Sequence, residues 1–383
     1  MPVEFIGYIG INGASEIHPN AGPVLDVDYV ERVARAHDAG GFDRALVAFG
    51  STSPESQLVV AHAASVTDRL GFMIAHRPGF TAPTVAARQL ATLDHFTRGR
   101  VAVHIITGGA DDEMKRDGDH LTKAERYART EEYLDIVRQE WTSEKPFDYK
   151  GKYYDVVQAF GAVKPLQKPH IPIYFGGSSD EAIPVAGKHA DIYALWGETQ
   201  AQVRETISRV RAAAARHGRN PRFSLSLRPV LAGTEEAAWK RADDIVAQTV
   251  ALRDKAGAKT SGHAPPNAGS QRLLDAAAQG TRLDKRLWTG VAAVTGAQGN
   301  STGLVGTPDQ VAEAMLDYYD LGVTTFLIRG FDPLEDCEAY GRDLIPRVKA
   351  LIADREARGV RAAASRTRAI ASRTWAWVSP HSA

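Results

Sequence analysis

One loop of the sequence combines glycines, hydroxyl side chains and a helix start in the order that suits a phosphate group. The segment Gly176–Ser179 (Gly-Gly-Ser-Ser) follows a short apolar run that ends at Phe175, and a helical pattern begins near Glu181. Glycine lets the backbone approach a ligand closely, and a helix N-terminus offers N–H groups and partial positive charge to an anion. An ordinary strand-to-helix turn with a serine cap has the same pattern, so both interpretations remain open at this point.

Other polar and aromatic residues that could take part in binding or catalysis directly follow predicted strands. Arginine pairs with anionic groups through two parallel N–H donors, so several arginines beside a phosphate loop indicate a phosphorylated cofactor and an anionic substrate. The sequence has no His-x-His pair and no cysteine pair, and it therefore predicts no metal site. The strand-end residues are Asn12, Ser53, His76, Arg77, His104, Thr107, Trp196, Arg228, Arg329 and Phe331.

Eight short apolar segments alternate with helical patterns and predict the scaffold that holds these residues. Such alternation indicates an α/β fold, a closed (β/α)8 TIM barrel with insertions, in which the residues after each strand share one face. An open doubly wound sheet competes, but it would carry its glycine-rich loop after the first strand, where only Gly10–Gly13 occurs. The predicted strands are Phe5–Ile9, Phe42–Phe49, Leu70–Ala75, Val101–Ile106, the run ending at Phe175, Asp191–Trp196, Phe223–Val230 and Thr324–Arg329.

Two insertions and a tail interrupt this alternation. Asp148–Tyr154 predicts a small hairpin with its turn at Gly151. Residues 257–303 resemble a long structureless loop and predict a lid within a single domain of residues 1–353, with Lys285 and Arg286 able to bring positive charge. The tail, residues 354–383, either exchanges with a neighbouring subunit through its tryptophans or is a solvated terminus.

Composition excludes several classes of protein. The 46 basic residues are balanced by 46 acidic ones, so no nucleic-acid partner is expected. Cys337 is the single cysteine, which fits a reducing compartment. The first residues lack a charged and apolar signal pattern, and no apolar run is long enough to span a membrane. The sequence therefore predicts a cytoplasmic protein without a membrane partner.

Short motifs placed in order between Phe5 and about Val348 form a larger pattern. They are Arg77-Pro78, Thr81–Gln89, Ala91–Asp94, Gly99-Arg100, Thr107-Gly108, Glu125–Tyr127, Tyr174–Asp180, Trp196–Glu198 and Leu304–Gly306. Together these motifs resemble those of the alkanesulfonate monooxygenases, which belong to the bacterial-luciferase-like, reduced-flavin-dependent monooxygenases. The resemblance implies a TIM barrel that receives FMNH2 from a separate NAD(P)H-dependent flavin reductase. With O2 as co-substrate, such an enzyme cleaves a C–S bond of a sulfonate and releases an aldehyde and sulfite. The resemblance also implies that the chain forms a homodimer or homotetramer.

The resemblance assigns the cofactor-binding residues. They are Gly177, Ser178, Ser179, Arg126 and Tyr127 at the phosphate and ribityl end of FMN, with His104 and Thr107 beneath its ring. Without the resemblance, Arg126 and Tyr127 would be interpreted as a pair on a helix surface.

The substrate side departs from the family pattern. Relative to the family pattern, Ser53 replaces an active-site cysteine and Asn12 replaces a histidine. Phe331 replaces a tyrosine, and Thr295 occupies the position of the lid arginine. Donor-rich walls suit a polyhydroxylated anion, so the sulfoquinovose monooxygenases are the subgroup to consider first. The residues assigned to catalysis are Arg228, Trp196, Ser53 and Asn12, and those assigned to substrate binding are Arg329, Arg228, His76, Arg77, Trp196 and Phe331.

Two alternatives remain open. An oxidoreductase of the same superfamily could use the deazaflavin F420 or FMN on a substrate that is not a sulfonate. A barrel hydrolase of an anionic sugar would also need arginines, but it requires two carboxylates across the mouth, and the sequence shows no convincing pair.

Overall fold

A computed structural model describes residues 3–257, 267–297 and 299–358 of the chain. The strands are β1 Glu4–Tyr8, β2 Arg44–Val47, β3 Gly71–His76, β4 Val101–Ile105, β5 Phe147–Lys150, β6 Asp155–Ala159, β7 Ile173–Gly176, β8 Ile192–Trp196, β9 Arg222–Leu227, β10 Val230–Leu231, β11 Arg282–Leu283, β12 Leu287–Trp288, β13 Gly303–Gly306 and β14 Val323–Ile328. The helices are α1 Val27–Ala39, α2 Ser56–Ser65, α3 Pro83–Phe96, α4 Asp111–Arg116, α5 Lys123–Thr142, α6 Ala182–His189, α7 Gln200–Ala215, α8 Glu235–Lys255, α9 Ala268–Gln279, α10 Gly290–Thr295, α11 Pro308–Asp320 and α12 Pro333–Ala339, with a π-helical turn at Tyr340–Leu344.

Eight parallel strands close into a barrel in the order β1-β14-β9-β8-β7-β4-β3-β2, which confirms the predicted TIM barrel. Closure comes from β14, which pairs with β1 on one side and with β9 on the other. Because all eight strands are parallel, their carboxyl ends meet at one mouth. The predicted strand Phe223–Val230 divides into β9 and β10, and Pro229, which cannot donate a ladder hydrogen bond, lies between them.

The barrel has two apolar cores because strand side chains alternate between its inside and its outside. The smaller core fills the interior and includes Ile6, Met73, Tyr174 and Leu327. The larger core packs the outer faces of the strands against the surrounding helices. This alternation decides which strand-end side chains can point into the mouth.

The long insertion is folded and not structureless as predicted. Its described part contains α9, β11, β12 and α10, and β12 pairs with β13, which in turn pairs with β10 beside the barrel. Lys285 contacts Asp317 at 2.9 Å and Arg286 contacts Glu235 at 3.0 Å, so both charges are already paired. Residues 258–266 and 298 lie outside the described residues.

The other predicted irregular segments have different outcomes. β5 and β6 form the expected antiparallel hairpin, with Gly151 following β5. Residues 345–358 are helical, so the predicted start of the tail at 354 falls inside a helix. Residues 359–383, including Trp375 and Trp377, lie outside the described residues. No helix in the described ranges is long and apolar enough to cross a membrane.

His37 joins α1 to the barrel wall as a buried, neutral side chain. Its Nδ1 donates to the carbonyl of Val33 at 2.7 Å, and its Nε2 accepts from the backbone N–H of Tyr8 at 3.2 Å. The ring is 2% exposed, and burial lowers the pKa of His37 from 6.5 to about 4. A proton on Nε2 would face the Tyr8 N–H donor, so the folded state resists protonation.

We expect the free energy of unfolding to fall as pH is lowered from 6.5 to about 4, because the unfolded chain binds the proton that folded His37 resists. Above pH 6.5 this contribution is constant. His37→Gln should reduce this loss of unfolding free energy by on the order of 3 kcal/mol near pH 4. Part of the loss should remain, because His76 and His104 also have pKa values lowered by burial. Urea unfolding at several pH values measures the effect. His120→Gln, at an exposed histidine, is the matched control, and identical slopes for the two variants would contradict the prediction.

Candidate functional site

The carboxyl ends of β4, β7 and β8 open into a cavity of about 210 Å³ at the barrel mouth. The structure brings together six of the seven residues predicted to hold the cofactor. They are His104, Thr107, Tyr127, Gly177, Ser178 and Ser179.

Gly177 has a backbone conformation and surroundings that no other residue would fit. Its φ is +130°, and a Cβ atom there would lie 2.9 Å from both the Tyr127 hydroxyl and the Ala182 methyl group. The Tyr193 hydroxyl donates to the carbonyl of Gly177 and fixes this turn from the β8 side. The loop is therefore held open by contacts on both sides, with its backbone at the cavity surface.

The hydroxyl of Ser179 and a lysine complete the polar end of the cavity. Ser179 accepts from the Ala182 N–H at 3.3 Å and so marks the start of α6. Lys123, which the sequence analysis missed, lines the cavity and contacts Glu181 at 3.5 Å. The sequence feature that could have revealed Lys123 is its spacing: it precedes Tyr127 by four residues and therefore lies on the same face of the helix. The arrangement offers one cation and several donors to an anionic group.

Arg126 does not line this cavity, contrary to the prediction. Its guanidinium is buried, donates to the carbonyl of Leu121 at 2.6 Å and pairs with Asp111 at 2.8 Å. Adjacent residues on a helix point in directions about 100° apart, so Arg126 and Tyr127 cannot both face one ligand. Arg126 instead fixes the loop that connects β4 to α5.

Two buried polar atoms in the cavity lack a partner among the described residues. They are Nδ1 of His104 and Oγ1 of Thr107. Burial lowers the pKa of His104 to about 4, so the imidazole is neutral at neutral pH. A buried polar atom without a hydrogen bond is costly, and such atoms side by side in a cavity indicate a polar ligand.

The insertion forms one wall of the cavity through Asn267, Ala268 and Gly269, here called its cover, and is attached by a buried ion pair. A Cβ atom at Gly269 would lie 3.4 Å from the Trp196 indole, so α9 packs against Trp196 at ordinary van der Waals distance. Arg272 of α9 donates to both oxygens of Glu198 at 2.9–3.0 Å. Glu198 is 3% exposed, and its burial raises its pKa while Arg272 opposes the rise. Trp196, which the sequence assigned to catalysis and substrate binding, thus lies between the cavity and its cover.

A charged cluster occupies the β9–β14–β1 side of the mouth. Arg228 is fully buried, and its Nη2 donates to the Gly330 carbonyl at 2.8 Å. Its Nη1 lies 2.7 Å from Glu16. The guanidinium group stacks 3.5 Å from the centre of the Phe331 ring. Arg329 contacts the same Glu16 oxygen at 3.0 Å but remains 27% exposed. Arg228 was predicted to contact substrate directly, and its enclosure leaves Arg329 as the accessible arginine.

Sequence reasoning missed Glu16. It lies in the loop after β1, where a strand-end residue should reach the mouth, but one acidic residue in an 18-residue loop carries no distinguishing signal. Its two arginine partners lie more than 200 residues away in the sequence, and only the closure of the barrel brings them together. The arginines hold the pKa of Glu16 down to about 2 against the opposing effect of burial.

Two predicted substrate residues lie on the β3 side. His76 is buried, contacts the Tyr133 hydroxyl at 2.6 Å and has a pKa lowered to about 4 by burial. It ends β3 with its side chain between the wall and α5, because alternate strand residues face outward. Arg77 pairs with Glu113 at 2.7 Å and lies over the Phe49 ring at 5.2 Å, while its Nε and Nη1 have no partner in the part of the chain that the structure describes.

The remaining predicted residues are separate from the cavity. Asn12 bonds within its own loop, donating to the Val24 carbonyl at 2.9 Å and accepting from the Ala14 N–H at 3.0 Å. Ser53 lines an open groove beside the barrel mouth. Phe331 is 1% exposed and packs in a small apolar core with Trp288. None of the three lines the 210 Å³ cavity.

Comparison with known proteins gives one family match and several solved structures of similar fold. A family model described as luciferase-like monooxygenase matches residues 4–325. The chain is similar to the riboflavin lyase RcaE, solved with modified FMN and riboflavin, at 19% identity and TM-score 0.76, covering 91% of this chain and 92% of that one. It is also similar to EDTA monooxygenase from Chelativorans sp. BNC1 (18%, TM-score 0.74, covering 91% and 94%). A third similar structure is an F420-dependent secondary alcohol dehydrogenase in complex with an F420–acetone adduct (18%, TM-score 0.66, covering 91% and 99%).

We expect Arg272→Met to destabilise the protein, because Glu198 would remain buried without its partner. Breaking a buried pair costs roughly 3–5 kcal/mol, and the partial exposure of Arg272 places the effect near the lower end. Denaturant unfolding measures the stability, and hydrogen exchange of α9 reports whether the cover loosens.

Arg286→Met is the matched control for this prediction. It removes an arginine from the same insertion, but its partner Glu235 is half exposed, so little loss of stability is expected. Equal losses in the two variants would contradict the assignment of the Arg272–Glu198 pair as the attachment of the cover.

Proposed function

The chain belongs to the luciferase-like monooxygenase family, and on that premise we propose that it is an FMNH2- and O2-dependent monooxygenase that desulfonates an organosulfonate to an aldehyde and sulfite. A separate NAD(P)H-dependent flavin reductase would supply FMNH2, and the enzyme would act in the cytoplasm as a homodimer or homotetramer. The observation that carries the proposal is the covered cavity, in which a glycine-serine loop and the unpartnered atoms of His104 and Thr107 lie on one surface.

The residues of the cavity fit a flavin phosphate at one end and a ring at the other. Ser178, Ser179 and Lys123 would hold the phosphate beside the start of α6, where hydroxyls, a cation and the helix dipole act together. His104 and Thr107 would hydrogen-bond the polar edge of the ring, and Trp196 would bound it on the side of α9. When bound, reduced FMN supplies the electrons that activate O2.

The chain's own contribution to the reaction is to position the substrate and exclude water. α9, attached through Arg272 and Glu198, covers the cavity and would shield the reacting centre from bulk solvent. Arg329, with donors still free, would orient the substrate's anionic group. The buried Oε2 of Glu16 has no donor within the described residues and would accept a hydrogen bond from a substrate hydroxyl. These groups favour a polyhydroxylated sulfonate, with sulfoquinovose as the first to test.

An alternative within the superfamily is an F420- or FMN-dependent oxidoreductase that acts on a substrate other than a sulfonate. The likeness to the F420-dependent alcohol dehydrogenase supports its inclusion, since the fold serves both cofactors. Titrating the protein with FMN and with F420 shows which of the two cofactors it binds. A hydrolase is disfavoured, because the mouth carboxylates Glu16 and Glu198 are each engaged by arginine.

We expect Ser179→Ala to weaken binding of FMN about tenfold and to leave riboflavin binding nearly unchanged, because only FMN presents a phosphate to the loop. Fluorescence quenching of each flavin measures both affinities. Ser65→Ala, at an exposed hydroxyl on α2, is the control and should change neither. Equal losses for FMN and riboflavin would remove the phosphate from this loop.

We expect sulfite release from a sulfonate panel that includes sulfoquinovose, when FMN, NADH and a flavin reductase are supplied. Arg329→Met should raise the apparent KM about ten- to a hundredfold without changing FMN affinity, because a charge-assisted hydrogen bond to the substrate is lost. Arg342→Met, at an exposed arginine, serves as the control. Absence of sulfite from every sulfonate, in a protein that binds FMN, would exclude desulfonation and favour the alternative.

A further inference from the structure

Glu16 places one negative charge between the two arginines at the barrel mouth. A single carboxylate oxygen, Oε1, contacts Nη1 of Arg228 at 2.7 Å and Nη2 of Arg329 at 3.0 Å. Both arginines follow neighbouring barrel strands, β9 and β14, and Glu16 comes from the loop after the adjacent strand β1. Two cations thus share one anion, and the cluster carries one net positive charge.

The neighbouring acidic residues form a separate group. Asp332 and Asp336 are both engaged by Arg241 of α8, at 2.6 and 2.7 Å. His18 contacts the other oxygen of Asp332 at 2.6 Å. The acceptor shared by Arg228 and Arg329 is Glu16.

Donors are still available within the cluster. Arg329 uses Nη2 to donate to Glu16. The Nε and Nη1 atoms of Arg329 have no acceptor in the described part of the chain. The side chain is 27% exposed and lies over the Tyr8 ring at 4.9 Å. Arg228 is fully buried, and its Nε has no hydrogen-bond partner among the described residues. An anion that reaches Arg329 would therefore meet open N–H groups and the one net positive charge of the cluster.

The two residues that follow Glu16 hold it in position. Ile17 is 9% exposed and packs in the apolar core that contains Phe331. His18 is bonded to Asp332, beyond β14. Because both of these residues are anchored, the Glu16 carboxylate is a fixed part of the mouth.

We propose that Arg228, Glu16 and Arg329 form a subsite for a singly charged anionic head group, and that Glu16 makes this subsite discriminate against doubly charged anions. One monoanion brings the cluster to neutrality, whereas a dianion leaves an excess negative charge in a partly desolvated place. The inference deepens the proposed function, because the head group is that of its substrate. The charge preference can be measured without flavin or turnover.

Methanesulfonate and sulfate are suitable probes, since both are tetrahedral oxyanions and they differ by one charge. Calorimetric titration at fixed ionic strength should show that the wild-type protein binds methanesulfonate at least as tightly as sulfate. Glu16→Gln keeps the side-chain shape and raises the cluster charge by one, so the ratio of sulfate to methanesulfonate affinity should rise about tenfold or more. Arg329→Gln should abolish binding of both probes.

Asp112→Asn is the matched control, because it removes one negative charge at a side chain that is 95% exposed, far from the cluster in the chain. It should leave the affinity ratio unchanged. A wild-type preference for sulfate, an unchanged ratio in Glu16→Gln, or binding that survives Arg329→Gln would each overturn the subsite. The wild-type and Arg329→Gln measurements decide whether the subsite exists and prefers a monoanion even if Glu16→Gln does not fold.

The subsite and the proposed reaction can fail separately. If the charge preference holds but no sulfonate yields sulfite, the subsite stands and the substrate carries another monoanionic group. If sulfite is released but the affinity ratio does not respond to Glu16→Gln, the reaction stands and the subsite is wrong.

Discussion

The parallel closure of the barrel is the constraint on which the other features depend. β14 pairs with β1 and β9, and this pairing places the residues after all eight strands at one mouth. Glu16, Arg228 and Arg329 are widely separated in sequence and meet only because those three strands are neighbours. The same closure places His104, Gly177 and Trp196 around one cavity. Without it, neither half of the mouth would exist.

The mouth is divided into two regions with different electrostatics. The β4–β7–β8 side carries glycines, hydroxyls, a neutral histidine and a tryptophan, which suit a large cofactor with a phosphate end. The β9–β14–β1 side carries two arginines and a carboxylate, and burial makes their charges interact strongly. A cofactor and an anionic substrate can therefore approach each other from separate regions of one opening.

The insertion shows how a segment with little sequence signal acquires a defined place. Residues 267–297 have few large apolar side chains, yet α9 lies against Trp196 because Gly269 permits close contact and Arg272 reaches Glu198. The ion pair is sheltered from water, so it positions the helix specifically. The outer lysine and arginine of the insertion pair with surface acids and contribute no charge to the mouth.

The sequence alone determined the barrel, because the alternation of apolar strands and helices is a local pattern repeated eight times. It also located the glycine-serine loop and the strand-end cavity residues His104, Thr107 and Trp196, since strand-end positions and glycine needs are local properties. It could not decide where long side chains point: Arg126 turns to Asp111, His76 faces α5, and Arg228 is enclosed by Glu16 and Phe331. These outcomes depend on partners distant in the chain and on which strand face is inward. Only the tertiary structure fixes those contacts, because burial makes each polar group pair with whichever opposite group the closed barrel brings near.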